Sequence, residues 1–599
     1  MNKLQNIKIP HKNLSDVPVE LYLRTESEQI RFKDGKLFPT SAHSQLTFEF
    51  STFFGAFSLP TWCGHAGLDQ IGVTLEMNGT GTVTIWHETD KAETIKLRDI
   101  PFDTTKEQVS VLLDNLRGKT GILYPKIETN DPDFVFHGGH YWTPTPPRHD
   151  ARLTIIMPTF KRERYVKKNL DLLFEEILSI QESSINLLII DNGQTLGSEI
   201  LPEGVRIIPN KNFGGSGGFA RGVIEALDDR STHVLFCDDD IQIEPESIIR
   251  LQALLGYIDE KTVVGGGMMF FSKMTHLCEI GARYESLTFR LCHKNLDLTR
   301  KDSLAKYDLP KDMNYFGWWF FACSKKVFKD EGLPFPFFVR SDDIEFGLRL
   351  VEKGYTMASL LGLGVWHEEF NRKVSPVMEY YVYRNGLITM WVHEKGLAGF
   401  EIVRMFYKRI FQRLTTYRYQ TAHYILLGLE DALKGPDFLE NLSPPTHHTK
   451  MMGEQTELMV PIEPSELIRG KFKKTPLSLF ARRIQKAIGF ITMNGHLLPS
   501  AFMIKGEEMS DPGFLVEDLR AIRRDVLLRH PAVLYYDPII DQGIMCRIDR
   551  KKFFYLLFLS LKLGIRVLLT NSRMVQKWKS AHERFTSVQF WRTYLGINQ

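Results

Sequence analysis

Two hydrophobic rhythms divide the chain. Up to about residue 148, apolar and polar positions alternate in short runs, as in half-buried strands. LTFEFSTF (46–53) shows this pattern, as do IGVTLEM (71–77) and TVTIWHE (82–88). The last two flank Asn78-Gly79-Thr80-Gly81, which predicts a β-hairpin. Further strands are expected near 94–98, 120–127 and 133–137, giving an all-β sandwich or jelly roll over residues 1–148. Thr143-Pro144-Thr145-Pro146-Pro147 reads as a stiff linker. From Leu153 the pattern becomes short apolar runs, each closed by polar or turn residues: LTIIMPTF (153–160), LLIIDNG (187–193), VRIIPN (205–210) and HVLFCDDD (233–240). Helical segments between them predict βαβ units and a Rossmann-like, mostly parallel sheet, an α/β domain over 149–395. Beyond YYVYRNG (380–386) the spacing turns helical, so 396–599 is expected to be a mostly helical domain. Gly399–Arg418, Leu515–Leu528 and Arg550–Leu569 are its expected helices, 440–465 an irregular crossing, and His447-His448 part of a loop.

At 599 residues the chain is too long for one core, consistent with this division. A net charge of +3 gives no argument for nucleic acid. Six cysteines with no CxxC pair point to a reducing, cytosolic setting rather than a disulfide framework. The first twenty residues contain no apolar stretch of the secretory kind. Phe553–Leu569 is short for a membrane span and carries Lys562 and Arg566, so a buried or interfacial helix is expected, not an integral membrane protein. Gly399–Arg418 places Val403, Phe406, Ile410 and Leu414 at helical spacing, with Arg404, Lys408, Arg409, Arg413 and Arg418 alongside. This suits either an anionic membrane surface or a packed helix with a solvated basic face. Trp62, Trp86 and Trp142 could stack on sugar rings, although core tryptophans are the commoner case.

The chemistry gathers between residues 153 and 370. Three consecutive carboxylates, Asp238, Asp239 and Asp240, end an apolar run; they suit a divalent cation or a solvated acidic turn before a helix. Ligands of parallel sheets bind beyond the carboxyl ends of the strands. There stand Thr159, Arg162, Asp191, Asn192, Asn210 and Asn212, with an arginine suited to phosphate. NFGGSGGFARG (212–222) fits the dinucleotide fingerprint and so keeps an NAD-dependent oxidoreductase as a rival, but it follows the third strand rather than the first. Trp318-Trp319 suit either core or a loop offering flat faces to a ring. Asp342, Asp343 and Glu345 open a helix, where they complement its dipole; packed together, one could be held basic enough to serve as a general base. His367 closes an apolar run and is either structural or a metal ligand.

In this order the motifs PTF-x-R, DNG, N-x-GGSGGF-x-RG, DDD, WW, DD-x-E-x-GLR and WHE resemble the family 2, GT-A-fold inverting glycosyltransferases, and within them those that polymerise galactofuranose. The likeness covers residues 153–385 and departs at Glu369, where a proline is expected. It implies a UDP-sugar donor held by Thr159, Arg162, Asp191 and Asn212, with Asp238 near the ribose and Asp239 keeping the turn or touching the donor. It further implies manganese or magnesium on Asp240 and His367, an acceptor site of Trp318, Trp319, Asp342 and Glu345, and Asp343 as the base. A glycan or lipid-linked glycan acceptor and a peripheral place on the inner membrane face would follow. Oligomeric state is not legible.

Overall fold

A computed structural model describes the chain apart from residues 11–13, 15, 26–29, 34, 41–44, 105–107, 180–183, 198–202, 310, 369–374, 464–478, 507–513, 520–521, 523 and 598–599. Its contacts fall into two units. The first comprises Met1–Pro336, Asp342–Glu369 and Phe585–Gln599; the second comprises Phe337–Ser341 and Phe370–Arg584.

The N-terminal part of the first unit is β-rich, but the expected hairpin is absent. Residues 71–88 form one strand, β1 (Ile71–Glu88), that runs straight through Asn78-Gly79-Thr80-Gly81. Its first half pairs with Gln108–Leu113 on one side and Val135–Thr143 on the other. Its second half pairs with Thr94–Thr104 and Ile122–Thr129. One long strand therefore takes different partners along its two halves. The glycines serve close approach rather than reversal: a Cβ on Gly81 would lie 2.4 Å from the Glu128 carbonyl oxygen, and one on Gly79 would lie 2.9 Å from Asp131 Oδ2. Trp62 and Trp142 are core residues, Trp62 stacked on Phe57 and Trp142 donating from Nε1 to Thr74 Oγ1 at 2.9 Å.

A separate sheet carries the candidate site. Its parallel half runs β4 (Val205–Pro209), β3 (Ile185–Asp191), β2 (Leu153–Thr159), β5 (His233–Phe236). Beyond β5 the sheet is mixed rather than parallel. Strand β7 (Phe321–Ser324) lies antiparallel between β5 and β6 (Thr262–Phe270), and β8 (Thr356–His367) is parallel to β6. Apolar runs alone carry no strand direction, which is why the expectation overshot. Helix α1 (Gly214–Leu227) packs closely on β2 because its glycines permit it. A Cβ on Gly218 would lie 2.5 Å from Pro158 Cβ, and one on Gly222 would lie 2.2 Å from Ile156 Cγ2. The core under α1 is completed by Trp591 and Leu595 of a last helix, Val588–Leu595.

The second unit is helical but holds a four-stranded sheet, in which Leu515–Asp518, Ala532–Asp537 and Gln542–Arg547 take part. Leu515–Asp518 is thus a strand, not the expected helix. The region 440–465 contains the helix Pro444–Gly453, which carries His447 and His448. The basic helix spans Gly399–Leu414. Only Arg404, Lys408 and Arg409 of its expected basic face are exposed, since Arg413 is ion-paired with Glu379 and Arg418 is buried against Glu457. Helix Arg550–Thr586 is the one helix among the described residues long and apolar enough to cross a membrane by length and composition. It buries Phe553, Leu556, Leu563 and Val567 and exposes Tyr555, Phe558, Leu561, Ile565 and Leu569, an apolar stripe at helical spacing.

Candidate active site

The carboxyl ends of β2 and β5 meet at the aspartate triplet. Thr159 Oγ1, buried at the end of β2, donates to Asp239 Oδ2 at 2.7 Å. Arg162 Nη1 lies 2.9 Å from Asp239 Oδ1 and 2.6 Å from Asp240 Oδ2, bridging the two. Asn169 fixes the turn by donating to the Asp239 carbonyl oxygen at 3.1 Å. Asp240 Oδ1 lies 3.3 Å from Nε2 of His367, which ends β8. His367 Nδ1 sits 2.5 Å from the Glu368 carbonyl oxygen, a contact that makes Nδ1 the donor and turns Nε2 toward the acids.

The electrostatics of this cluster ask for a cation. Burial, reinforced by Asp240, pushes the Asp238 carboxyl up to about 7. Burial raises Asp239 as well, against the opposing pull of Arg162. Burial alone would lower His367, but Asp240 and Asp238 outweigh it and raise the imidazole. Ligand atoms of Asp238, Asp240 and His367 all lie within 4.8 Å of one another. Two hard carboxylates and an imidazole fit manganese or magnesium. The geometry groups Asp238 with the two ligands the sequence suggested.

Asp191 and Asn212 shape the rim from the neighbouring strands. Asp191 accepts from the backbone N–H groups of Gly193 at 3.0 Å and of Thr195 and Leu196 at 2.8 Å, so its carboxylate organises the loop after β3. Asn212 Oδ1 accepts from the Gly214 N–H at 3.1 Å, at the start of α1. Asn210 Nδ2 donates to Asn192 Oδ1 at 2.8 Å.

The second acidic group opens helix α2 (Asp342–Glu352). Asp342 Oδ2 accepts from Ser216 Oγ at 2.8 Å, which ties this helix to the glycine-rich start of α1. Asp343 is half-buried and its Oδ1 accepts from the Ile344 N–H at 2.8 Å. Glu345 is fully buried, 0% exposed, and Arg349 grips it from Nη2 at 2.6 Å and Nε at 3.2 Å. Trp318 is 5% exposed and packs edge-on against Phe219 and Phe236 at 5.1 Å. Trp319 is 6% exposed and donates from Nε1 to the Gly266 carbonyl oxygen at 3.0 Å.

Sequence reasoning passed over Ser216, Asn169, Glu279 and Tyr315. The first sits inside the glycine motif and was in plain view. Glu279 is buried, which pushes its carboxyl up to about 7, and its Oε2 has no partner among the described residues. The Tyr315 hydroxyl is raised well above its ordinary value by burial, then by Asp343 and Glu279. Nothing in HLCEIG distinguishes such a carboxyl from a surface one.

The chain is similar to known proteins. Residues 154–329 match the model of glycosyl transferase family 2, and residues 4–144 match the galactofuranosyltransferase 2 N-terminal model. Galactofuranosyltransferase GlfT2 of Mycolicibacterium smegmatis is 26% identical over 91% of this chain and 88% of its own length. GlfT2 of Mycobacterium tuberculosis is 25% identical over 91% and 90%. Among solved structures, GalNAc-T7 with UDP, GalNAc and Mn2+ aligns with 42% of this chain and 49% of its own at 11% identity and a TM-score of 0.32. The chain is a glycosyltransferase. More narrowly, it resembles the family 2 galactofuranosyltransferases.

Proposed function

We propose that the chain is an inverting, divalent-cation-dependent galactofuranosyltransferase that moves galactofuranose from a UDP-sugar to a growing or lipid-linked glycan. The observation that supports this reading best is the convergence of Thr159, Arg162, the aspartate triplet and His367 at the carboxyl end of one sheet. Arg162 would offer the diphosphate a planar, permanently charged fork. Thr159 and Asn169 hold Asp239, and with it the turn, in a single geometry. Asp191 and Asn212 keep the flanking loops shaped for the nucleoside. Manganese or magnesium held by Asp238, Asp240 and His367 would supply Lewis-acid stabilisation of the leaving diphosphate.

A sugar hydroxyl is a poor nucleophile, so a carboxylate must take its proton as attack proceeds. Asp343, half-buried at the start of α2, is that base, and Ser216 holds its neighbour Asp342 at the acceptor side. One base opposite the leaving group implies single displacement, hence inversion. The glycine-rich run, which also fits a dinucleotide fingerprint, has a packing explanation in the close approach of Gly218 and Gly222 to β2. Asp343→Asn is expected to lower transfer by roughly 10²–10⁴-fold while leaving UDP binding in place. A parallel loss of UDP affinity would move Asp343 from proton transfer to donor binding.

The second unit is the part of the chain proposed to meet an anionic membrane peripherally, on the cytoplasmic side. The exposed stripe on Arg550–Thr586 and the exposed Arg404, Lys408 and Arg409 motivate this. The protein should float with anionic liposomes and be released by high salt. Failure to float would end the membrane reading, and retention through high salt and alkaline extraction would replace it with a spanning helix.

A further inference from the structure

A cavity of about 1020 Å³ lies wholly in the second unit, at the start of the helix Arg550–Thr586. Its lining is in part apolar and aromatic, with Met503, Met545 and Leu556 beside Tyr417 and Tyr419. Both tyrosine hydroxyls are already used: Tyr417 donates to the His530 carbonyl oxygen at 2.9 Å, and Tyr419 contacts His496 Nε2 at 2.6 Å. The lining also carries the cations Lys505, Arg547, Arg550, Lys551 and Lys552.

The acids at this cavity do not neutralise it. Glu457 and Asp549 are the only carboxylates among its described lining residues. Glu457 is held by Arg418 Nε at 2.8 Å. Asp549 is 3.5 Å from Lys552 Nζ and also accepts from the Lys552 N–H at 2.9 Å. The helix start is therefore capped by its own side chain, and recognition falls to the remaining cations. Arg550 is oriented by bonds to Ser500 Oγ and the Leu498 carbonyl oxygen, and its Nε is buried without a partner among the described residues. A guanidinium held in place by two bonds, beside three further cations in a cavity large enough for a small molecule, fits a multiply charged oxyanion.

We propose that this cavity is a second anion site, binding the phosphate or diphosphate group of a ligand whose remaining part is apolar. The chemistry is shared by a soluble phosphate compound and by an amphiphile with a phosphorylated head, whose tail could follow the exposed stripe beginning at Tyr555. The inference is independent of the donor-site assignment. It is tested on the full chain by calorimetric titration with inorganic pyrophosphate, in saturating UDP and manganese so that the donor site is filled.

One pyrophosphate per chain is expected beyond the UDP bound. Arg547→Ala and Lys551→Ala should each weaken it by about tenfold, the worth of a charge-assisted contact. Arg162→Ala should not change it, and Lys551→Arg should restore it; a fold damaged by the alanine variants would show in the melting curve and leave the arginine variant to decide. Farnesyl diphosphate binding more tightly than pyrophosphate supports the site with an amphiphile as its ligand. Equal affinity supports it with a soluble phosphate. No binding in the presence of UDP, or binding indifferent to both alanine variants, overturns the proposal.

Discussion

The fully buried Glu345 allows a sharp test, because position in the fold and family likeness assign it different work. The likeness makes it a ligand of acceptor hydroxyls, whereas the structure gives its carboxylate to Arg349 through two bonds of 2.6 and 3.2 Å. Removing one partner of a buried ion pair costs about 3–5 kcal/mol, since the other charge is left uncompensated. Glu345→Gln keeps the shape and one neutral acceptor, which returns about 1 kcal/mol. Arg349 also keeps its bonds to the carbonyl oxygens of Glu331 at 2.6 Å and Leu333 at 3.1 Å. The net loss should be about 2–4 kcal/mol, or a drop of roughly 3–5 °C in the melting midpoint of the first unit. Adding Arg349→Met removes the stranded charge and should recover part of the loss, a non-additivity measurable as a double-mutant cycle. Kinetics on the surviving folded fraction should show a near-normal acceptor KM. A Glu345→Gln protein that melts like the parent but has lost acceptor affinity would refute the reasoning and restore the acceptor role.

Two further expectations follow from the same unit. Manganese at about a hundred times its dissociation constant should stabilise the parent by about 2.7 kcal/mol, and this upshift should vanish in Asp240→Ala and His367→Ala; variants that still gain the full upshift would place the ion elsewhere. Trp591 is 0% exposed, and its Nε1 donates to the Pro334 carbonyl oxygen at 2.8 Å. Trp591→Ala should therefore cost about 3–5 kcal/mol, read by denaturant unfolding, and a loss below 1 kcal/mol would show that the last helix contributes little to the core.

The parts legible in sequence are those written in local pattern. Strands β2, β3, β4 and β5 announced themselves as apolar runs with polar ends, so the residues at their tips could be gathered before any geometry was known. Partnership was less legible. That Asp191 spends its carboxylate on three backbone N–H groups depends on a loop conformation, and that Asp342 meets Ser216 depends on two segments 126 positions apart. The Asn-Gly signal at 78–79 misled because glycine serves close backbone approach as readily as reversal, and only the neighbouring strands distinguish the two. The strand Leu515–Asp518 reads as helix in the sequence because so short an apolar segment carries no dependable period.

The placement of Phe585–Gln599 in the first unit has a consequence for how the molecule is made. Trp591 and Leu595 cover the same core as Phe219 and Ile224, yet residues 370–584 must be synthesised before they arrive. At ribosomal speeds that delay is on the order of 10–40 s. Throughout it, a nearly finished sheet and helix wait with an uncovered apolar seam. Chaperone engagement and aggregation during biosynthesis should therefore concentrate on that seam, and supplying residues 585–599 in trans to the nascent chain would shorten the exposure.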